Sequence, residues 1–193
     1  ITTIFLPRVP RDARGVVLYD RAMSEDYSHL AATDPELVFL NHAAVAPLSV
    51  PAQDALKQYA QQAAWQSYYR SGWYRKVNEG RAVAARLINA RGPDAIAWVP
   101  HTSYGLSTVA RGLPWQEGDD VVITGVEYPA NRYPWQDLER LGVNLIEVPQ
   151  HPDGRIDVED VCDAITNSTR VVSISHVQYA SGHRIDLKPI AET

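Results

Sequence analysis

Two adjacent hydroxyl residues, Thr102 and Ser103, follow His101 and precede Tyr104-Gly105-Leu106. An apolar run lies before them and a helical pattern after them. The first N–H groups of a helix have no partner inside it, and the helix dipole favours an anion there. Hydroxyls beside such N–H groups make a cradle for a phosphate. A plain N-cap is the other use of the same residues. Neither Gly-x-Gly-x-x-Gly nor Gly-Lys-Ser/Thr occurs in the chain, which leaves out the dinucleotide fingerprint and the nucleoside triphosphate loop. Three further segments carry polar or flat side chains. Glu127-Tyr128-Pro129-Ala130-Asn131 offers a ring on which a flat ligand can stack, or a tyrosine packed over a sheet edge. Ser175-His176-Val177-Gln178-Tyr179-Ala180-Ser181-Gly182 offers donors for a ring substituent, or an ordinary strand-end turn. Leu40-Asn41-His42-Ala43-Ala44 combines small residues, which allow close backbone approach, with two polar ones; the alternative is a helix-entry loop.

These segments need elements to hold them. Ser49 and Pro51 give a capped helix start, and Ala52, Ala55, Leu56, Tyr59, Ala60 and Ala63 follow at helical spacing. A second helix is predicted from about 74 to 90, ended by Gly92-Pro93. Then the period changes. Apolar runs at 95–99, 120–124, 143–148 and 170–175 read as strands, with helices between them at 103–112, 130–141 and 157–166. Continuous apolar strands alternating with helices read as βαβ units around a parallel sheet. Ligands of such sheets sit at the C-terminal strand ends, which is where 101–105, 125–131 and 176–182 fall. Residues 1–36 carry little periodicity, and Pro7, Pro10 and the charged stretch 11–14 suggest an arm.

Composition narrows the function. In 193 residues, 18 Lys and Arg face 23 Asp and Glu, a formal charge of −5 with 45% hydrophobic residues. A mildly acidic chain without a basic block is a poor binder of nucleic-acid backbones. No apolar run approaches the roughly 20 residues of a membrane span. The single cysteine, Cys162, leaves out a disulfide framework and a Cys-rich zinc site, and no metal site is expected. It falls in the 157–166 helix and reads as a packed core thiol. No signal segment opens the chain, so a cytoplasmic protein is expected. The aromatic stretch from Trp65 to Tyr74 reads as a helix end packed on a second subunit. The chain opens on Ile1 and ends where a helix is starting, which reads as part of a longer unit.

Order and spacing of the motifs add a resemblance. Leu-Asn-His-Ala-Ala comes before the helix pair, and His-Thr-Ser-Tyr-Gly-Leu follows it. Gly-Leu-Pro-Trp-Gln-Glu-Gly-Asp-Asp, Val-Glu-Tyr-Pro-Ala-Asn-Arg-Tyr-Pro-Trp and Ser-His-Val-Gln-Tyr-Ala-Ser-Gly come next. Residues 37–193 resemble the N-terminal half of the class V aminotransferase family of pyridoxal-phosphate enzymes. That family includes cysteine desulfurases, selenocysteine lyases and isopenicillin-N-epimerase-like proteins. The resemblance implies an α/β fold: a three-layer α/β/α, mostly parallel sheet, the large domain of the fold-type-I transferases, incomplete here and preceded by the arm and helices. It implies pyridoxal 5'-phosphate as cofactor, an amino-acid substrate and a homodimer.

Residue by residue, the resemblance implies that Thr102 and Ser103 hold the cofactor phosphate, with the N–H groups of Ser103 and Tyr104. Tyr128 stacks on the pyridine ring, where desulfurases usually have histidine. A phenol stacks well but is a poor proton donor near neutral pH. Gln178 or Tyr179 donates to the phenolic oxygen, at a place where desulfurases have asparagine. Both departures point away from a desulfurase and toward an aminotransferase, epimerase or C–S lyase type. Asn41 and His42 face the substrate. The lysine that anchors the coenzyme covalently is absent: Lys57 and Lys76 fall on helices away from the strand ends, and Lys188 follows Asp186-Leu187 in the connection to the next helix. No catalytic residue is therefore assigned in this chain. The other readings are a noncatalytic α/β domain that binds a phosphate ligand or a partner, and a flavodoxin-like nucleotide domain. The latter leaves the helical region before the sheet unexplained.

Overall fold

The computed structural model describes residues 2–4 and 45–193, which fall into two compact units. One contains residues 45–98; the other contains residues 2–4 and 99–193. Asn41 and His42 lie outside the described residues, as does most of the segment read as an arm.

In the first unit, helix α1 (Val50–Trp65) starts where Ser49 caps it, its hydroxyl accepting the Ala52 N–H at 3.4 Å. A short helix α2 (Ser67–Ser71) ends at Gly72, whose φ of 67° lets the chain turn directly into α3 (Trp73–Leu87). The Trp73 indole donates to Gln62 at 3.1 Å and its ring lies 5.1 Å from that of Tyr59, which ties α1 to α3. Helix α3 ends at Leu87, capped by Ile88 and three residues short of the predicted end, because Asn89 takes a left-handed φ of 54°.

The predicted strand at 95–99 does not form. Residues 93–95 make a 3₁₀ turn, and Ile96 is extended (φ −112°, ψ 124°), but the run pairs with no strand among the described residues. Apolar character alone does not make a strand; a ladder partner does. Instead Trp98 packs back on α3. Its indole N–H donates to the Val77 carbonyl at 3.3 Å, and its ring would be 3.2 Å from a Cβ at Gly80, a contact tighter than most side chains accept.

Among the described residues, the second unit is built on a four-stranded sheet in the order β1-β4-β2-β3. Strands β2 (Asp120–Thr124), β3 (Asn144–Val148) and β4 (Thr169–Ile174) fall where the sequence predicts them. Both pairings of β2 are parallel, with Val121 opposite Leu145 on one side and Val171 on the other. Strand β1 (Thr2–Ile4) pairs antiparallel with β4, Thr2 opposite Ile174. The Thr-Thr-Ile run is β-branched throughout, which suits a strand, and it covers the outer edge of β4.

Alternation along the strands divides the core in two. Val121, Ile123 and Val171 face α4 (Thr102–Gly112), with Leu106, Ala110, Trp135 and Leu138. Val122, Val172 and Ile174 face the other way, with Val148, Ile156, Val161, Ile185 and Ile190. The second layer includes α6 (Val158–Asp163) and α7 (Leu187–Glu192), and Cys162 packs against it, half-buried. Helices on both faces of a parallel sheet give the three-layer α/β fold. Each fully buried valine or isoleucine contributes about 1.5–3 kcal/mol.

The predicted helix at 130–141 is broken into a 3₁₀ turn at 129–131, a short α5 (Tyr133–Gln136) and a second 3₁₀ segment at 137–141. Pro129 and Pro134 lack the N–H that a continuous helix needs and fix φ. The chain leaves β2 toward one face through α5 and leaves β4 toward the other through α7. Adjacent parallel strands whose exits diverge open a crevice at their C-terminal ends, the usual ligand position in such sheets. Among the described residues no helix is long and apolar enough to cross a membrane.

Candidate functional site

Helix α4 is capped by neither hydroxyl. His101 is extended (φ −163°, ψ 165°) and its Nδ1 accepts the Tyr104 N–H at 3.2 Å. The first ladder bond runs from Gly105 N–H to the His101 carbonyl at 3.2 Å. Thr102 and Ser103 occupy the first two helical positions, so their N–H groups precede the ladder and point out of the helix end. Of the two amides expected at a phosphate, those of Ser103 and Tyr104, that of Tyr104 is thus engaged by the cap. A Cβ at Gly105 would sit 3.3 Å from a Val99 methyl, so a glycine here lets the helix start lie close to the segment before it.

A cleft of about 450 Å³ opens along this helix. Ser103, Ser107 and Arg111, spaced four apart on one face of α4, line one wall. Tyr128, Pro129, Ala130, Tyr133 and Asp137 are on the other. Ser103 and Tyr128 therefore share one cavity. Thr102 and Tyr104 are exposed at the helix start and are not part of its lining. No lysine lines it either.

The turn that carries Tyr128 is held by three anchors. Just before it, Glu127 is buried and its carboxyl oxygens accept four hydrogen bonds: Thr124 Oγ1 at 2.9 Å, Gln178 Nε2 at 3.2 Å, and the N–H and hydroxyl of Ser175 at 2.7 and 2.6 Å. Just after it, Asn131 is fully buried. Its amide donates to the Ser173 carbonyl at 3.1 Å, and its oxygen accepts from the Ser173 hydroxyl at 2.6 Å and the Trp135 indole at 3.2 Å. The third anchor is a two-pronged ion pair from Arg132 to Glu147 on β3, with one prong at 2.7 Å. That carboxylate raises the Arg132 guanidinium above its already high ordinary value. Sequence reasoning named Glu127 and Asn131 only as letters of a motif. Their signal was a polar residue close to a strand end that has serines or threonines to bond: Thr124 on β2, Ser173 and Ser175 on β4.

Gln178 and Tyr179 part company. Gln178 is 1% exposed and its side chain turns inward, the amide nitrogen donating to Thr124 Oγ1 at 3.0 Å and to Glu127. Its Oε1 is buried with no hydrogen-bond partner among the described residues. As placed, its donor capacity is used inside the protein, tying the β2 and β4 ends together. The reason is the buried Glu127 carboxyl, which needs donors in a region closed to water. Tyr179 points outward and meets Tyr128 edge to face, ring centroids 5.1 Å apart at 89°. The turn carrying Tyr179 is closed by Gln178 N–H to His183 O and Gly182 N–H to Gln178 O, both 2.9 Å.

Lys57 bonds Gln53 and Asp54 on its own helix, and Lys76 bonds Gln58, each within the first unit. Lys188 is exposed in the first turn of α7. His151 lies 3.0 Å from Asp157 and 3.6 Å from Asp160, but Arg155 occupies the other Asp157 oxygen at 2.8 Å. Arg155 also hydrogen-bonds Asp153 and holds that carboxyl below its ordinary range.

Comparison with known proteins gives a consistent picture. Residues 38–193 match the Aminotransferase class-V family. A probable cysteine desulfurase of Methanothermobacter thermautotrophicus is 31% identical over 160 residues, covering 79% of this chain and 39% of that protein. An uncharacterised protein of Schizosaccharomyces pombe is 27% identical over 165 residues, covering 86% of this chain and 38% of its own length. Among solved structures, the C-DES K223A mutant with glycine covalently linked to its PLP cofactor superposes with a TM-score of 0.73 at 19% identity, over 88% of this chain and 45% of that one. An apo cysteine desulfurase of Thermococcus onnurineus NA1 gives 0.69 at 24% identity, over 81% and 42%. At these identities the structures speak for the fold. The chain spans about two fifths of the length of the relatives it matches.

Proposed function

The chain belongs to the class V aminotransferase family, and from that premise we propose that it forms the phosphate-and-ring side of the coenzyme site in a pyridoxal-phosphate enzyme that acts on an amino acid. The observation that carries this reading is the single cleft lined by both Ser103 and Tyr128. The residues fit the group. An open helix start with two hydroxyls suits a phosphate dianion, and a half-exposed aromatic ring a few residues beyond a neighbouring strand suits a flat heterocycle.

Bound pyridoxal phosphate supplies an electron sink for bond breaking at the α-carbon of an amino acid. The chain's own residues do the positioning. Thr102 and Ser103 donate their hydroxyls and N–H groups to the phosphate. Tyr128 lies against the ring and excludes water from that face. The anchors at Glu127, Asn131 and Arg132 keep Tyr128 in register with Ser103, so the two ends of the ligand are received at fixed separation. Tyr179 is the remaining donor toward the ring's phenolic oxygen, since Gln178 donates inward. The reaction types proposed are aminotransfer, epimerisation and C–S lysis, and a phenol at position 128, a poor proton donor near neutral pH, weighs against a desulfurase. We extend the proposal to a homodimer, in which the exposed Trp65 and Tyr69 would be covered.

Titration of the chain with pyridoxal 5'-phosphate, followed by equilibrium dialysis, tests the reading. Saturable binding is expected, weakened at least about tenfold by the paired change Thr102→Ala and Ser103→Ala, which removes two hydrogen bonds to a charged group. Absence of saturable binding, or equal binding by the double variant, overturns it.

A further inference from the structure

The two tyrosines at the crevice come from different strand ends, and each is about half exposed, 47% for Tyr128 and 49% for Tyr179. A tyrosine this exposed ordinarily samples several rotamers, and that freedom is lost when a ligand stacks on it. Here the edge-to-face contact at 5.1 Å supplies a fixed orientation beforehand. The contact is itself supported from both sides. Glu127, next to Tyr128, and Gln178, next to Tyr179, are hydrogen-bonded to each other at 3.2 Å in the buried layer beneath. The backbone of each ring is therefore pinned by the residue before it, and the rings close the arch above. Both rings lie at the one place where the β2 and β4 exits diverge.

We propose that Tyr179 is a positioning residue: its ring, through the edge-to-face contact, holds Tyr128 in the orientation from which it faces the cleft shared with Ser103. The inference rests on the coenzyme reading above and adds a role for the ring that is separate from any hydrogen bond made by the Tyr179 hydroxyl.

The test uses the full chain, pyridoxal 5'-phosphate as the probe, and four variants: Tyr179→Phe, Tyr179→His, Tyr179→Ala and Tyr128→Ala. Two readouts are taken, the coenzyme dissociation constant and the Tyr128 ring resonances in the coenzyme-free chain. Phe and His keep an edge and remove the hydroxyl. Both are expected to bind within about twofold of the wild type, with Tyr128 ring shifts little changed. Tyr179→Ala is expected to bind about threefold to tenfold more weakly, the range of an aromatic pair, and to move the Tyr128 ring resonances by loss of the ring current while its amide spectrum stays folded. Tyr179→Phe as weak as Tyr179→Ala would assign the effect to the hydroxyl and overturn the proposal. So would Tyr179→Ala binding as the wild type while Tyr128→Ala binds weakly; the coenzyme reading survives both of these results. A wild-type chain that binds no coenzyme overturns both.

Discussion

The carboxyl group of Glu127 takes both the backbone N–H and the hydroxyl of Ser175, at 2.7 and 2.6 Å, and so joins the loop after β2 to the end of β4. Two further donors, Thr124 Oγ1 and Gln178 Nε2, complete its shell. Removing the acceptor strands several buried donors at once. Glu127→Ala is expected to cost about 3 kcal/mol and Glu127→Gln about 1–2 kcal/mol, because an amide keeps one acceptor oxygen but turns a donor toward other donors. Urea unfolding of the three proteins measures this. Equal midpoints would mean that the carboxyl group is not the tie between the two strand ends.

His101 caps α4 through its ring nitrogen. His101→Ala is expected to lower stability by about 0.5–1 kcal/mol, the low end of cap losses. The Tyr104 N–H is then released at the mouth of the proposed phosphate cradle. Coenzyme affinity is expected to hold within about twofold or improve, since the open amides of Thr102 and Ser103 are untouched. Thermal unfolding and a coenzyme titration on the same variant read both effects. A marked loss of affinity would show that the imidazole itself touches the ligand.

Gly142 ends the broken helical connection with φ 78°, and a Cβ there would meet Glu117 Cγ at 2.8 Å. Gly142→Ala combines a left-handed strain with a clash and is expected to destabilise by about 1–2 kcal/mol. Glu117→Ala in the same chain relieves the part of the contact made by Cγ. Chemical denaturation of the single and double variants separates the two causes.

Much of this architecture was legible in the sequence, for a physical reason. Strands β2, β3 and β4 present apolar residues to both faces, so their runs stand out, and the Ser49-Val50-Pro51 start is written in local chemistry. What failed depended on partners or on buried polar atoms. The run at 95–99 has the composition of a strand but no neighbour to pair with among the described residues. The 129–141 connection has helical apolar spacing, and its prolines divide it. Tyr128 stands out in the sequence as an aromatic just after a strand, and the structure places it in the lining of the cleft that Ser103 shares. Gln178 stands in a segment whose polar residues suit a ligand, yet its side chain turns inward to Glu127, and nothing in the local sequence reveals that this buried carboxyl lies beneath and needs donors. The strand formed by residues 2–4 rests on a long-range pairing that no local pattern announces.

No lysine lines the cleft, so coenzyme bound there is expected to stay noncovalent. Borohydride treatment of the coenzyme-loaded chain should leave its intact mass unchanged, and dialysis should remove the coenzyme fully. A stable mass increase would point to covalent capture by Lys57, Lys76 or Lys188, which peptide mapping would locate.

The most direct measurement maps amide and aromatic resonances of the isotopically labelled chain during addition of pyridoxal 5'-phosphate. The expected result is that the Thr102 and Ser103 amides and the Tyr128 ring shift together along one saturation curve, while inorganic phosphate moves only the two amides. Shifts confined to other parts of the chain, or a Tyr128 ring that stays still while the amides respond to both ligands alike, would contradict a single coenzyme pocket between the start of α4 and the end of β2.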